Sequence, residues 1–211
     1  MSDGVEVNPC YKWSQRLQAL AQIGLRYARD EFDTSRYSEI RDIAAEMMAA
    51  QSDLPKEKLI ELFEREEGYA TPKVDVRGVV FRENKILLVK ERLDGKWTVP
   101  GGWADVAKTP RENVEREVRE ESGLAARAVR LLAIYDRTRQ GHLPLVPFHI
   151  YKLFFLCEIA GGQMKTSYET TDVGFFGEND LPELSLTRIL PGQIHRMFEL
   201  WRNPDLPVDF D

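Results

Sequence analysis

The stretch Gly101–Leu124, GGWADVAKTPRENVEREVREESGL, constrains the chain most, because it writes a helix with clear ends and then sets acids on the side that must be buried. Thr109, Pro110 and Glu112 supply a hydroxyl cap, a first-turn proline and a side chain able to reach back, while Gly123 stops the helix. At about 100° of rotation per residue, Val114, Val118 and Glu121 share one stripe, Glu117 lies at its edge, and Glu120 lies beside Glu117. A buried carboxylate without a partner is costly, so positive charge has to meet this face. Arg116 and Arg119 are one source, and with them alone the helix would be a solvated, salt-bridged face. The run before it, Trp97-Thr98-Val99-Pro100-Gly101-Gly102, points to another. It is extended and ends in two glycines, which bring bare carbonyls close to a ligand. Carbonyl and carboxylate oxygens together suit Mg²⁺ or Mn²⁺.

Length and charge bound the alternatives. A chain of 211 residues holds one large domain or a domain with an extension, and 43% hydrophobic with 30% charged residues is ordinary for a globular protein. A net charge of −6 argues against a general nucleic-acid or membrane binder. Two cysteines, Cys10 and Cys157, imply no disulfide framework. Met1–Glu6 lacks the basic and apolar regions of a signal peptide, so a cytoplasmic location is expected.

Residues 1–70 read as a helical module. Trp13, Leu17, Leu20, Gly24 and Tyr27 recur every three or four positions and predict one amphipathic helix from about Tyr11 to Arg29. A second helix is expected after Asp33-Thr34-Ser35, with Tyr37, Ile40, Ile43, Ala44 and Met47 inward, and a third from near Pro55 to Gly68. This module carries 14 acidic and 9 basic residues, so it is no basic clamp, and its thin core predicts that it packs on something else.

Residues 71–205 read as the second domain. The period becomes two at Val74, Val76 and Val80, Arg82-Glu83-Asn84 turns the chain into Ile86–Val89, and further strands are expected over Arg127–Arg137, Phe148–Ile159 and Asp172–Phe176. Gln193–Trp201 is a closing helix and Asn203–Asp211 a loosely held tail. Strands interrupted by one helix and ended by another predict an α+β sandwich. Arg77, Arg92 and the basic loop containing Arg137 and Arg139 are candidate phosphate ligands, since a guanidinium fork matches phosphate oxygens. His142, His149 and His195 are not spaced as ligands and read as structural.

Gly102, Arg116, Glu117, Val118, Glu120, Glu121, Gly123 and Leu124 resemble the box of the Nudix hydrolases: G, five residues, E, seven residues, then R-E-aliphatic-x-E-E-x-G-aliphatic. Eight of the nine specified positions match, and Lys108 stands where the family has Glu. The helical module is similar to the amino-terminal extension of one subgroup, whose members cleave nucleoside diphosphates linked to another group, such as ADP-ribose or CDP-choline, and are typically homodimers through that extension. The resemblance implies an α/β/α sandwich with a mixed sheet, Mg²⁺ or Mn²⁺ as cofactor, and metal binding by Glu117, Glu120 and Glu121 with a carbonyl of Gly101 or Gly102. In the family the missing Glu supports the box arginine, here Arg116. Glu112, one turn earlier, is expected to take over that pairing. The general base is either Glu120 or Glu169, the latter in the loop Met164–Asp172 after the long strand. Chemically, cleaving a phosphoric anhydride requires its charge to be neutralised and a water activated, which such cations provide. The expected activity is therefore pyrophosphohydrolysis. The rival readings are a nucleotide sensor whose site Lys108 has disabled, and RNA-end processing, which would need a basic track.

Overall fold

A computed structural model of the chain describes residues 8–211, so the Met1–Glu6 start lies outside the described residues. The chain divides into two compact units: residues up to Lys73 with Thr138–His149, and Val74–Arg137 with Ile150–Asp211. The segment 138–149, expected within the second domain, groups with the helices because Leu145 packs on their core and the Tyr11 hydroxyl donates to Val146 O.

In the helical unit, α1 (Pro9–Tyr27), α2 (Glu31–Ala49) and α3 (Lys56–Glu64) surround Tyr11, Ala45, Met48, Leu59 and Phe63. Asp30 caps α2 by accepting from Asp33 N at 2.8 Å, which starts that helix earlier than the Asp33-Thr34-Ser35 signal suggests. The apolar stripe of α1 does not face the core of its own module. Its buried side is Tyr11, Ser14, Gln18 and Ala21, whereas Trp13, Leu20 and Tyr27 are 55%, 58% and 67% exposed. Where α1 meets α2 a small residue is required: a Cβ added at Gly24 would sit 2.3 Å from the Tyr37 ring. Ile43 of α2 also lies exposed rather than inward.

The second unit contains β1 (Lys73–Arg82, its first residue belonging to the other unit), β2 (Lys85–Glu91), β3 (Trp97–Thr98), β4 (Gly101–Trp103), α4 (Pro110–Ser122), β5 (Leu124–Asp136), β6 (Ile150–Gly162), β7 (Thr170–Phe176), α5 (Pro191–Arg202) and β8 (Asp209–Phe210). These strands form one sheet in the order β3-β2-β1-β6-β5-β8, with β4 paired to β1 and β7 to β2. Pairing is antiparallel along β1–β2, β2–β7 and β5–β6, and parallel at β5–β8, so the expected mixed sheet is present. Side chains alternate between two cores, as the pleat requires. Val76, Val80 and Leu87 join Val114 and Val118 of α4, while Val79, Ile86 and Leu88 join Ile194, Met197 and Phe198 of α5. A sheet between two helices follows from that division. The tail is not loose as expected: Asp209 accepts from Tyr135 Oη at 2.6 Å and Arg196 Nε at 2.7 Å, and β8 pairs with β5. Among the described residues no helix is long and apolar enough to cross a membrane.

Gly78 sets how closely α4 lies on β1, since a Cβ there would fall 2.3 Å from Val118 Cγ2. Gly78→Ala is expected to destabilise the protein by about 1–3 kcal/mol through overpacking. Urea titration followed by tryptophan fluorescence checks this, an unchanged midpoint being the contrary result.

Candidate active site

The acidic helix forms as its ends predict. Thr109 Oγ1 accepts from Glu112 N at 3.2 Å, the Glu112 carboxylate accepts from Thr109 N at 2.8 Å, and Gly123 ends the helix in the left-handed region at φ 75°. Glu117 and Glu121 are 8% and 4% exposed on the same side as Val114 and Val118, and Glu120 faces outward. Opposite them lies β4, whose Gly101 and Gly102 pair with Arg77 and Val76 of β1. Gly101 N donates to Glu121 Oε2 at 3.0 Å, and a Cβ on Gly102 would come within 3.4 Å of the Glu117 carboxylate. Gly101 has φ +144°, and a Cβ there would collide with Val76 O at 2.0 Å, so only glycine serves. Gly101, Gly102, Glu117 and Glu121 are thus brought together as expected, with Glu120 beside them on the rim.

Burial dominates the electrostatics. It pushes Glu121 up to about 8, against the pull of Arg77 and the Gly101 N–H, with Glu91 and Glu117 adding to the rise. Glu117 is raised too, by burial first and Glu120 next, despite Arg116. The compensating cation is Arg77, expected to contact phosphate but found 4% exposed with Nε and Nη2 each 2.6 Å from Asp75. Its fork is spent, so it acts on the site through its charge. Burial alone would raise Asp75, yet Arg77 and Lys152 hold it at about 2. Lys152, 2% exposed and 3.0 Å from Asp75, is pushed down to about 7 by burial and by Arg77. Glu91 is a further buried acid raised by burial, with Arg188 at 3.2 Å. Asp75, Lys152, Glu91 and Arg188 escaped the sequence reading. Asp75 and Lys152 carried one usable signal, charge at positions where strands are otherwise apolar.

Arg116 binds Glu117 at 2.7 Å, Glu120 at 2.6 Å and Asp105 at 3.2 Å. The expected pairing with Glu112 is not made, because the helix cap claims that carboxylate. Lys108 lies 3.0 Å from Asp105.

The remaining candidates are placed differently from one another. Arg92 donates from Nε to Tyr168 O at 2.7 Å and from its backbone N to Glu169 O at 2.8 Å, so it anchors the loop that carries Glu169. Thr170 Oγ1 ties the same loop to Glu121 O at 2.8 Å. Glu169 is exposed there, next to the end of the acidic helix. Arg137 is buried and reaches Thr187 O at 3.4 Å, which does not suit a phosphate ligand, and Arg139 belongs to the segment grouped with the helices. Trp103, 52% exposed, follows the two glycines directly and so adds an open aromatic ring to the charged candidates. His142 is fully buried, as a structural histidine should be.

Among the described residues no three carboxylate, imidazole or thiol groups already converge as a metal cage. The donor set nevertheless fits a hard divalent cation: Glu117 and Glu121 offer carboxylate oxygens beside the Gly101–Gly102 backbone, whose carbonyls are further oxygens, and Glu120 would join them on leaving Arg116. The two raised acids also favour it, since a cation lowers the cost of their charge.

Glu121 makes stability depend on pH. Its folded value of about 8 lies above the ordinary carboxyl value of 4.5, so between these the folded state holds the extra proton and stability falls as pH rises, levelling off above 8. Glu121→Gln, which keeps the acceptor for Gly101 N, is expected to flatten that decline and raise the melting temperature at pH 8.5 by several degrees in the presence of chelator, while abolishing most turnover. Thermal melts at pH 5 and pH 8.5 check it, a lower melting temperature at pH 8.5 being the contrary result.

Comparison with known proteins agrees with this geometry. Residues 71–196 match the model of the NUDIX domain, and residues 8–63 match that of a UDP-X-like, N-terminal oligomerisation domain. A Bacillus subtilis protein named "Putative ADP-ribose pyrophosphatase YjhB" is 44% identical over 203 residues, covering 95% of this chain and 97% of that one. The crystal structure of a UDP-X diphosphatase aligns over 96% of this chain and 98% of that one at 33% identity, with a TM-score of 0.63. That of an ADP-ribose pyrophosphatase from Streptococcus suis covers 67% of this chain and 100% of that one at 39% identity, with a TM-score of 0.60. The acidic helix, the glycine strand facing it and these matches together place the chain in the Nudix hydrolase family.

Proposed function

We propose that the chain is a Mg²⁺- or Mn²⁺-dependent pyrophosphohydrolase that cuts the diphosphate of a nucleoside diphosphate linked to another group, such as ADP-ribose or CDP-choline, into a nucleoside monophosphate and a phosphorylated partner. The observation that carries this reading is the burial of Glu117 and Glu121 against Gly101–Gly102. The names of the relatives, ADP-ribose pyrophosphatase and UDP-X diphosphatase, support the substrate class. Residues 1–70 are the oligomerisation and substrate-recognition module and 71–205 the hydrolase domain.

Glu117, Glu120, Glu121 and a glycine carbonyl would hold the cation, which would supply charge neutralisation and a more acidic water. The protein's own groups do the rest. Arg77 keeps the desolvated Glu121 compatible with folding, and Arg116 orients Glu117 and Glu120. Glu169 serves as general base: its carboxylate is exposed on a loop anchored by Arg92 and Thr170, while that of Glu120 is assigned to the cation. Trp103 offers an exposed ring beside the glycines for a base or sugar to stack on. Neither rival reading gains support. The sensor requires Lys108 to disable the site, but Arg116 keeps its carboxylate partners, and RNA-end processing lacks a basic track.

The module is read as the surface that joins two copies. Trp13, Leu20 and Tyr27 stand seven residues apart on α1, so they line one exposed apolar face, which a second copy would cover. Trp13→Asp with Leu20→Asp is expected to turn a dimer into a monomer by light scattering; a wild type that is already monomeric would refute the assembly.

The activity is tested with ADP-ribose, CDP-choline, UDP-sugars and dinucleotides in Mg²⁺ or Mn²⁺ and heavy-oxygen water, reading product masses. Glu169→Gln is expected to lower kcat by about 10²–10⁴ with Mn²⁺ affinity unchanged. Glu120→Gln is expected to weaken both. Near-normal turnover in Glu169→Gln would return the base to Glu120, and absence of cleavage across the panel would refute the hydrolase reading of substrate.

A further inference from the structure

Arg116 is the hub of the outer rim, and its three acidic partners are not equivalent. Glu117 and Glu120 are the two that a divalent cation would recruit, and a guanidinium losing both would be left with its charge unmatched. Asp105 lies off the helix, in the loop before it, and nothing in the donor set calls on it. We propose that Asp105 is a positioning residue, the fixed anchor that keeps Arg116 in place while Glu117 and Glu120 turn to the cation.

The loop is built for such an anchor. Asn113, on the first turns of α4 and 1% exposed, accepts from Asp105 N at 2.9 Å and donates to Asp105 O at 3.3 Å, Lys108 O at 3.5 Å and Thr109 O at 3.2 Å. One buried amide therefore fixes residues 105–109 to the helix that carries Arg116. Ala107 turns the chain there at φ 61°. The Lys108 Nζ contacts the same oxygen, Oδ2, that faces Arg116, so one carboxylate oxygen of Asp105 meets both cations. Glu112 is excluded from the part because both its hydrogen bonds go to Thr109. An exposed ion pair contributes little to stability, so the role of Asp105 should be visible in cation affinity and rate rather than in folding.

This inference rests on the divalent-cation reading above, and the experiment separates the two. Free Mn²⁺ is measured by electron paramagnetic resonance against the full-length chain, with melting temperature recorded in parallel. Asp105→Asn is expected to weaken Mn²⁺ binding about 10–100-fold at a nearly unchanged melting temperature. It should lower kcat on the best substrate more than it changes KM. Adding Lys108→Glu to Asp105→Asn should restore affinity to within a few-fold, because the side chain at 108 ends 3.0 Å from the Asp105 carboxylate. Glu112→Ala is the control, expected to lower the melting temperature by a few degrees through loss of the capping box and to leave Mn²⁺ affinity alone. Wild-type Mn²⁺ affinity in Asp105→Asn overturns the proposal and leaves the hydrolase reading standing, as does failure of Lys108→Glu to restore it. A wild type that binds no Mn²⁺ overturns both.

Discussion

The second unit depends on keeping Glu117 and Glu121 out of water on the same face as Val114 and Val118. Ordinary packing would not place acids there, since desolvating a carboxylate costs several kcal/mol unless charge and hydrogen bonds offset it. The offset is a buried series of alternating charges. Lys152 and Arg77 flank Asp75, Arg77 faces Glu121 and Glu91, and Arg188 meets Glu91 from the far side. The compensation is incomplete at Glu121, whose carboxyl stays at about 8, and a cation would complete it. On the proposed reading, a bound cation would recover that cost in stability.

That arrangement needs the helix close to the strands, and three glycines make it possible. Gly78 lets Val118 approach β1, Gly101 takes a backbone conformation closed to other residues, and Gly102 leaves space for the Glu117 carboxylate. β4 is only three residues long, Gly101–Trp103, so the strand contributes backbone to the site and then exposes Trp103. A longer or bulkier strand would bury the acids against side chains and leave no room for a ligand.

Local signals were readable in the sequence and long-range ones were not. The capping box at Thr109 and Glu112, the stop at Gly123 and the inward Glu117 and Glu121 all follow from contacts within one helix. The sheet's alternation from Val76 to Val80 was equally plain. The partnership of Asp75 with Lys152 joins residues 77 apart, and no periodicity announces it. On α1 the apolar stripe of Trp13, Leu20 and Tyr27 was legible as an amphipathic face, but not that the close contact of α1 with α2 uses Ser14, Ala21 and Gly24 instead. An apolar stripe says that a face must be covered; it does not say by what.

The same competition decides the box arginine. Glu112 stands one helical turn before Arg116, the spacing at which opposite charges pair, and that spacing is worth only about 0.2–0.5 kcal/mol. A capping box satisfies two backbone groups at the helix start and is worth about 1 kcal/mol, so the cap takes the carboxylate and the arginine must find another. Asp105 can be that partner because the hydrogen bonds of Asn113 have already fixed its loop, leaving little entropy to lose when the ion pair forms. Lys108 then sits beside an acid rather than in place of one. What the arginine requires is a carboxylate held at the right place, and the position in the chain from which it comes is secondary.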